Sequence, residues 1–168
     1  FTGETGGGRI EVGGFLAYSG DPVFRLHAHA DQVRVRYPEG VSTVADADFN
    51  LSGTESRSTL SGTITIRRTG INLQSDFSSI IAKSAQPVPT PAARTGLLGG
   101  LNFDVLIETS PDIQFQSSLT EDLQVEANLR LRGSLSNPAL IGRIVVTQGQ
   151  LVFYGTKYTI NQGTIAFY

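Results

Sequence analysis

His27 and His29 stand two residues apart, and Asp31 follows in the same phase. On a strand, alternate residues share a face, so two imidazoles and a carboxylate would line up as a partial metal-ligand set. The chain has only these two His and no Cys, and no other element offers a clear fourth ligand. The simpler reading is a polar strand face beside Arg25. Asp46 and Asp48 form a second same-face pair, the arrangement that acid–base chemistry or a metal would use. A hairpin around Glu39 to Thr43 accounts for them more simply. Pairing Tyr37 with Ala45 puts Arg36 opposite Asp46 and Arg34 opposite Asp48, and opposite charges across strands are ordinary sheet stabilisers. Gly6-Gly7-Gly8 comes before a strand, whereas phosphate-binding loops need the order strand, glycine loop, helix. No Ser sits in a nucleophile elbow with a His placed to serve it. These residues give no case for an enzyme, a bound metal or a cofactor.

The elements that carry them are strands. Apolar residues alternate with Arg, Asp, His, Thr, Asn and Ser at period two, the mark of half-buried strands. Before residue 82 the sets are Ile10, Val12, Leu16 and Tyr18; Phe24, Leu26, Ala28 and Ala30; Val33, Val35 and Tyr37. Ala45, Ala47, Phe49 and Leu51 follow, then Leu60, Ile64 and Ile66, then Ile71 and Leu73. Turns are expected at Gly20-Asp21-Pro22, Pro38-Glu39-Gly40, Gly53-Thr54 and Thr69-Gly70. Residues 82–100, with Pro87, Pro89, Pro91 and Gly99-Gly100, read as a long loop, and a short helix is weighed over Ser78 to Lys83.

The stretch 101–168 is more legible. Leu101, Phe103, Val105 and Ile107 form one set; Ile113, Phe115 and Leu119 another; Leu123, Val125, Ala127, Leu129 and Leu131 a long third. A Thr120-Glu121-Asp122 loop would pair Leu119 with Leu123. Leu135 paired with Leu140 would put Leu131 beside Ile144. Turns at Gln148-Gly149, Gly155-Thr156 and Gln162-Gly163 would pair Val146 with Leu151, Leu151 with Ile160, and Ile160 with Ile165. The same registers pair Phe153 with Tyr158 and Tyr158 with Phe167. Parity flips at each turn, as two-residue hairpin loops require.

The expected fold is therefore all-β, roughly thirteen strands in a long antiparallel meander with one apolar face. Open twisted sheets of more than about ten strands curl or split. The options are an elongated trough with an apolar interior, a closed β-sandwich, or a barrel. A transmembrane barrel needs strands of about 9–11 residues, longer than the short strands expected after Gln150. The chain reads as one elongated domain, residues 1–168, with a β half at 1–81, the loop at 82–100 and the meander at 101–168.

Composition narrows the partners. With 13 Lys and Arg against 15 Asp and Glu, the net charge of −2 lacks the basic footprint of nucleic-acid binding. Zero Cys excludes disulfides, thiolate metal sites and Cys catalysis. The absence of Met reads as a segment of a longer protein.

Residues 131–168 read LRGSLSNPALIGRIVVTQGQLVFYGTKYTINQGTIAFY. The spacing of Leu131, Gly133, Leu135, Pro138, Leu140, Gly142 and Ile144, continued by Gly149, Leu151, Phe153, Gly155, Tyr158, Ile160, Gly163, Ile165 and Phe167, resembles the TamB C-terminal domain family. The Pro-rich break and the strands over Leu101 to Leu129 resemble that family too. The resemblance implies a trough with an apolar lining, the β-taco. It implies a periplasmic location, within an inner-membrane-anchored protein of a diderm bacterium. The implied partners are phospholipid acyl chains, an Omp85-family outer-membrane barrel (TamA or BamA-like) and nascent outer-membrane proteins. On that reading the groove residues are Phe103, Val105, Phe115, Leu129, Leu131, Ile144, Val146, Leu151, Phe153, Tyr158, Ile160, Ile165 and Phe167. Three functions follow: shielding acyl chains during phospholipid transport, assisting outer-membrane protein assembly by strand addition, or acting as a structural spacer.

Overall fold

Thr2-Gly-Glu-Thr5 has no apolar alternation, yet it is a strand. Gly6 and Gly7, at φ 59° and 83°, let the chain reverse in a two-residue turn that pairs Thr5 with Gly8. The glycine-rich opening is thus a hairpin turn. In chain order the computed structural model contains β1 (Thr2–Thr5), β2 (Gly8–Ala17), β3 (Val23–Val35), β4 (Val41–Thr54) and β5 (Ser58–Ile71). They are followed by β6 (Leu101–Ser117), β7 (Thr120–Ser134), β8 (Asn137–Phe153), β9 (Thr156–Ile160) and β10 (Gly163–Phe167). The structure describes residues 1–18, 22–37, 40–71, 99–117, 120–153 and 155–168, apart from the side chains of Gln114, Gln116 and Phe153. Leu73, Leu119, the span weighed as a helix and nearly all of the Pro-rich stretch lie outside the described residues.

All ten strands belong to one open, curled sheet, a trough with no closed barrel. Neighbours are antiparallel except β5 and β6, which run parallel, so the sheet is mixed. β9 and β10 lie end to end along the same side of β8.

The strands are fewer and longer than alternation suggests, because bulges shift its phase. In β3 the inward set moves from even (Ala28, Ala30) to odd (Val33, Val35). Gln32, at φ 51°, is the residue that absorbs the shift. In β5, Arg67 has no partner residue between Ile66 and Arg68, so Thr69-Gly70 continues the strand. The expected pairing of Tyr37 with Ala45 is replaced by Val33 with Ala45, and the last pair before the connection is Val35 with Thr43.

The last four strands also differ in register. β8 runs 17 residues straight through Gln148-Gly149, so the hairpin expected there is absent. Leu151 faces Tyr158, Ile160 faces Gly149, and Ile165 faces Ile144, replacing the expected pairs of Leu151 with Ile160, Ile160 with Ile165, Phe153 with Tyr158 and Tyr158 with Phe167. Gly149 needs no turn: it is buried, and a Cβ there would meet Leu123. Thr120, placed in a loop by the sequence, begins β7 opposite Ser117. Leu131 pairs with Leu140, not Ile144, because the connection is only Leu135-Ser136. Strand length does not distinguish this sheet from a membrane barrel, since β3 to β8 have 13 to 17 residues. Closure does: among the described residues β1 pairs only with β2.

Two glycines permit the curl. Gly62 has φ 152° and Gly142 φ 132°, and a Cβ on either would run into a carbonyl oxygen of the neighbouring strand, Asp48 or Asn128. Backbones come this close only where no side chain intervenes.

Candidate functional site

The inner wall is built in rows that cross the strands. One row runs Ile10, Ala30, Ala47, Ile64, Ile107, Leu129, Gly142 and Phe167, from β2 to β10. The next runs Val12, Ala28, Phe49, Gly62, Val105, Leu131 and Leu140. Large residues sit beside glycine: Gly62 lies between Phe49 and Val105, and Phe103 faces Gly133. At Phe49, Phe103, Leu129 and Phe167 a large side chain is matched with a glycine on the adjoining strand.

A closed core would bury this face. Among the described residues only four apolar side chains are buried: Phe24, Leu101, Val105 and Leu129. Leu16 is 55% exposed, Leu26 37%, Tyr158 53% and Ile165 57%, all at inward register positions. Near one end, Leu16, Phe24, Leu26, Leu51, Ser58 and Leu101 surround an apolar cavity of about 540 Å³.

The expected groove residues distribute along this wall. Phe103, Val105, Leu129 and Leu131 form the buried and half-buried centre across β6 and β7. Ile144 and Val146 continue it on β8 opposite Ala127 and Val125. Ile165 pairs with Ile144, and Phe167 with Gly142, on the half of β8 that precedes Leu151. Leu151, Tyr158 and Ile160 make a separate patch on the other half. Phe115 stands apart, opposite Thr69. Phe153 lies in β8 opposite Thr156, with its side chain outside the described set. Ser58, which the sequence reading passed over, sits in the wall 2% exposed, with a buried hydroxyl that has no hydrogen-bond partner among the described residues. A lone Ser just after a turn gives no apolar signal to find it by.

The outer face carries the charges. Arg130 donates two hydrogen bonds to the Asp104 carboxylate, at 2.6 and 2.9 Å. That contact holds the Asp104 carboxyl below its ordinary value, with Arg132 adding to it. Arg25 lies over the Phe15 ring, 5.9 Å from its centre. His29 Nδ1 is 2.6 Å from Asp48 Oδ1, which raises the imidazole pKa above 6.5, first through that hydrogen bond and then through the charge. Asp48 therefore pairs with His29, not with Arg34.

Asp46 has a different role from the expected pair with Arg36. Its Oδ1 accepts the Gln32 backbone N–H at 2.9 Å, and its Oδ2 accepts Arg67 Nε at 2.6 Å. Burial pushes the carboxyl up, but the Gln32 N–H and the Arg67 guanidinium outweigh it and leave the pKa lowered. The same guanidinium reaches the buried Ser110 hydroxyl at 3.4 Å. Among the described residues no cluster of three or more His, Asp or Glu could hold a metal ion.

An open β-trough with an apolar inside and an ion-paired outside is what this geometry defines. The family model for the TamB C-terminal domain matches residues 1–168, and the chain belongs to that family. The family comprises non-enzymatic proteins of the cell envelope that work with TamA, an Omp85-family protein. Neither the characterised proteins nor the solved structures yielded a match to the chain.

Proposed function

We propose that the trough shields lipid acyl chains during phospholipid transport between the inner and outer membranes. The chain then acts as a periplasmic segment of an inner-membrane-anchored protein. One observation carries this reading: a continuous apolar wall whose rows cross nearly the whole sheet and are mostly only half-buried, with Leu16, Leu26, Tyr158 and Ile165 exposed. Soluble proteins seldom expose contiguous apolar patches beyond a few hundred Å² unless something occupies them. Burying a chain there gains about 0.8 kcal/mol per CH₂. Because apolar rows follow one another along the trough, an acyl chain can slide from one to the next. The groove residues on this reading are the expected set, from Phe103 to Phe167.

A second reading has its own support. The outer edges of β9 and β10 have no strand partner among the described residues, so an extended segment of a nascent outer-membrane protein could add there through backbone hydrogen bonds. Photo-crosslinking in the parent protein in living cells separates the two. A probe at Ile144, inward, is compared with one at Arg143, outward. Lipid adducts at 144 and not at 143 support shielding. A barrel protein captured near β10 supports assembly. Adducts only within the chain at 144 would return the domain to the role of spacer.

A further inference from the structure

The wall has a gap. β6 and β7 pair as far as Glu108 with Asn128, and the ladder resumes only at Ser117 with Thr120. Pro111 lies in the interrupted stretch and cannot donate to a ladder. The Ala127 N–H crosses it, donating to Thr109 Oγ1 at 3.1 Å. A cleft of about 620 Å³ occupies the opening, within the range of small-molecule sites. Five consecutive residues of β7, Gln124 to Asn128, line it. Successive strand residues point to opposite faces, so these five bring both faces of β7 to the cleft, while its β8 lining, Arg143, Val145 and Thr147, belongs to the outer face.

The outer rim is charged in both signs. Glu108, Glu126 and Arg143 all line the cleft. Asn128 faces Glu108 on one side and Arg143 on the other, which keeps the three charges on neighbouring strands. Among the described residues none of the three forms an ion pair, which they share with Arg9, Glu11 and Asp31, but these three line one cleft. A carboxylate pair and a guanidinium left unused around an opening match a group that carries an ammonium and a phosphate together.

We infer that the β6–β7 gap is a lateral window for the zwitterionic head group of a phosphoethanolamine lipid, with its acyl chains in the trough. The phosphate meets Arg143, and the ammonium meets Glu108 and Glu126. An anionic phosphoglycerol head group lacks the ammonium and faces two carboxylates. This assignment rests on the acyl-chain reading above and adds head-group selectivity to it.

The test uses the full-length parent protein, incubated with vesicles of equimolar phosphatidylethanolamine and phosphatidylglycerol. Mass spectrometry then reads the lipid that co-purifies. The wild type is expected to enrich phosphatidylethanolamine. The E108Q/E126Q double variant, nearly isosteric and checked by circular dichroism, should lose about fivefold of that preference. An unchanged head-group ratio in E108Q/E126Q overturns the window. Absence of lipid from the wild type would sink the acyl-chain reading instead. The window is then judged alone by titrating soluble glycerophosphoethanolamine: binding that E108Q/E126Q abolishes supports it, and no binding overturns it.

Discussion

Asp46→Ala should weaken this sheet far more than loss of an exposed charge on a strand ordinarily does. The carboxylate holds two irregularities at once: the Gln32 N–H at the β3 bulge and the Arg67 guanidinium at the β5 bulge. Hydrogen bonds to charged groups contribute about 1.5–3 kcal/mol each, and removing the acceptor leaves the Gln32 N–H unpaired. Arg67 is 53% exposed, so solvent compensates much of its share. The expected loss is about 2–3 kcal/mol. With a urea slope of about 2 kcal/mol/M, the unfolding midpoint drops by about 1–1.5 M. Asp46→Asn keeps an acceptor without the charge and should recover about half of that. The sign with pH is fixed by the lowered carboxyl pKa. Its contribution is fully present above the ordinary value of 3.8 and disappears as pH falls through the lower folded value. Wild type and Asp46→Ala should therefore converge in acid and differ most near neutrality. The assay is urea unfolding followed by far-UV circular dichroism at pH 7 and at acid pH. A midpoint shift under about 0.25 M at pH 7 would refute the idea that Asp46 secures the bulges.

Other expectations follow from single contacts. Ser58→Ala should stabilise the chain by about 1 kcal/mol in thermal or urea unfolding, because it removes a buried hydroxyl with no partner. Gly62→Val should cost more than about 2 kcal/mol or prevent folding, since its φ of 152° and the nearby Asp48 carbonyl leave no room for a side chain. Ile144→Arg should keep the far-UV spectrum of the wild type and abolish lipid loading of the parent protein. The raised His29 pKa gives a contribution that is complete below the ordinary value of 6.5 and is lost as pH rises through the folded value. The urea midpoint of the wild type should fall slightly over that window, and that of His29→Gln should not.

Which face each residue takes was largely readable from the sequence, and which residue it meets was not. Leu101, Phe103, Val105 and Ile107 alternate and do line one side of β6, as Leu129 and Leu131 do on β7. Parity survives an even slip: the β7–β8 hairpin is displaced from its expected register, yet Leu131 still meets an inward Leu140. Phase changes misled because a bulge and a strand end look alike in one sequence. Ala30 to Val33 and Ile66 to Thr69 each read as a break and are continuous strand. Gly149 read as a turn because glycine usually marks one, whereas here it gives room for Leu123. The window left one trace, Pro111 between two apolar sets. The parallel pairing of β5 with β6 left none, since it depends on partners remote in the chain.

That parallel pair divides the molecule kinetically. Every other contact between neighbouring strands closes through a local hairpin or a short return, within β1 to β5 or within β6 to β10. Ser58 meets Leu101 only across 43 positions of sequence (101 − 58). Contacts so far apart carry the largest loop-closure entropy and form late. The two halves should zip up independently, and the seam between them should set the slow phase of folding. To run parallel, the chain must also travel back along the 14 residues of β5, about 46 Å at ~3.3 Å per residue. Once the connection exceeds that span, doubling its length adds only about 0.6 kcal/mol of closure entropy. Evolution can therefore lengthen this one connection freely, while the hairpin turns on either side are held to a few residues by register.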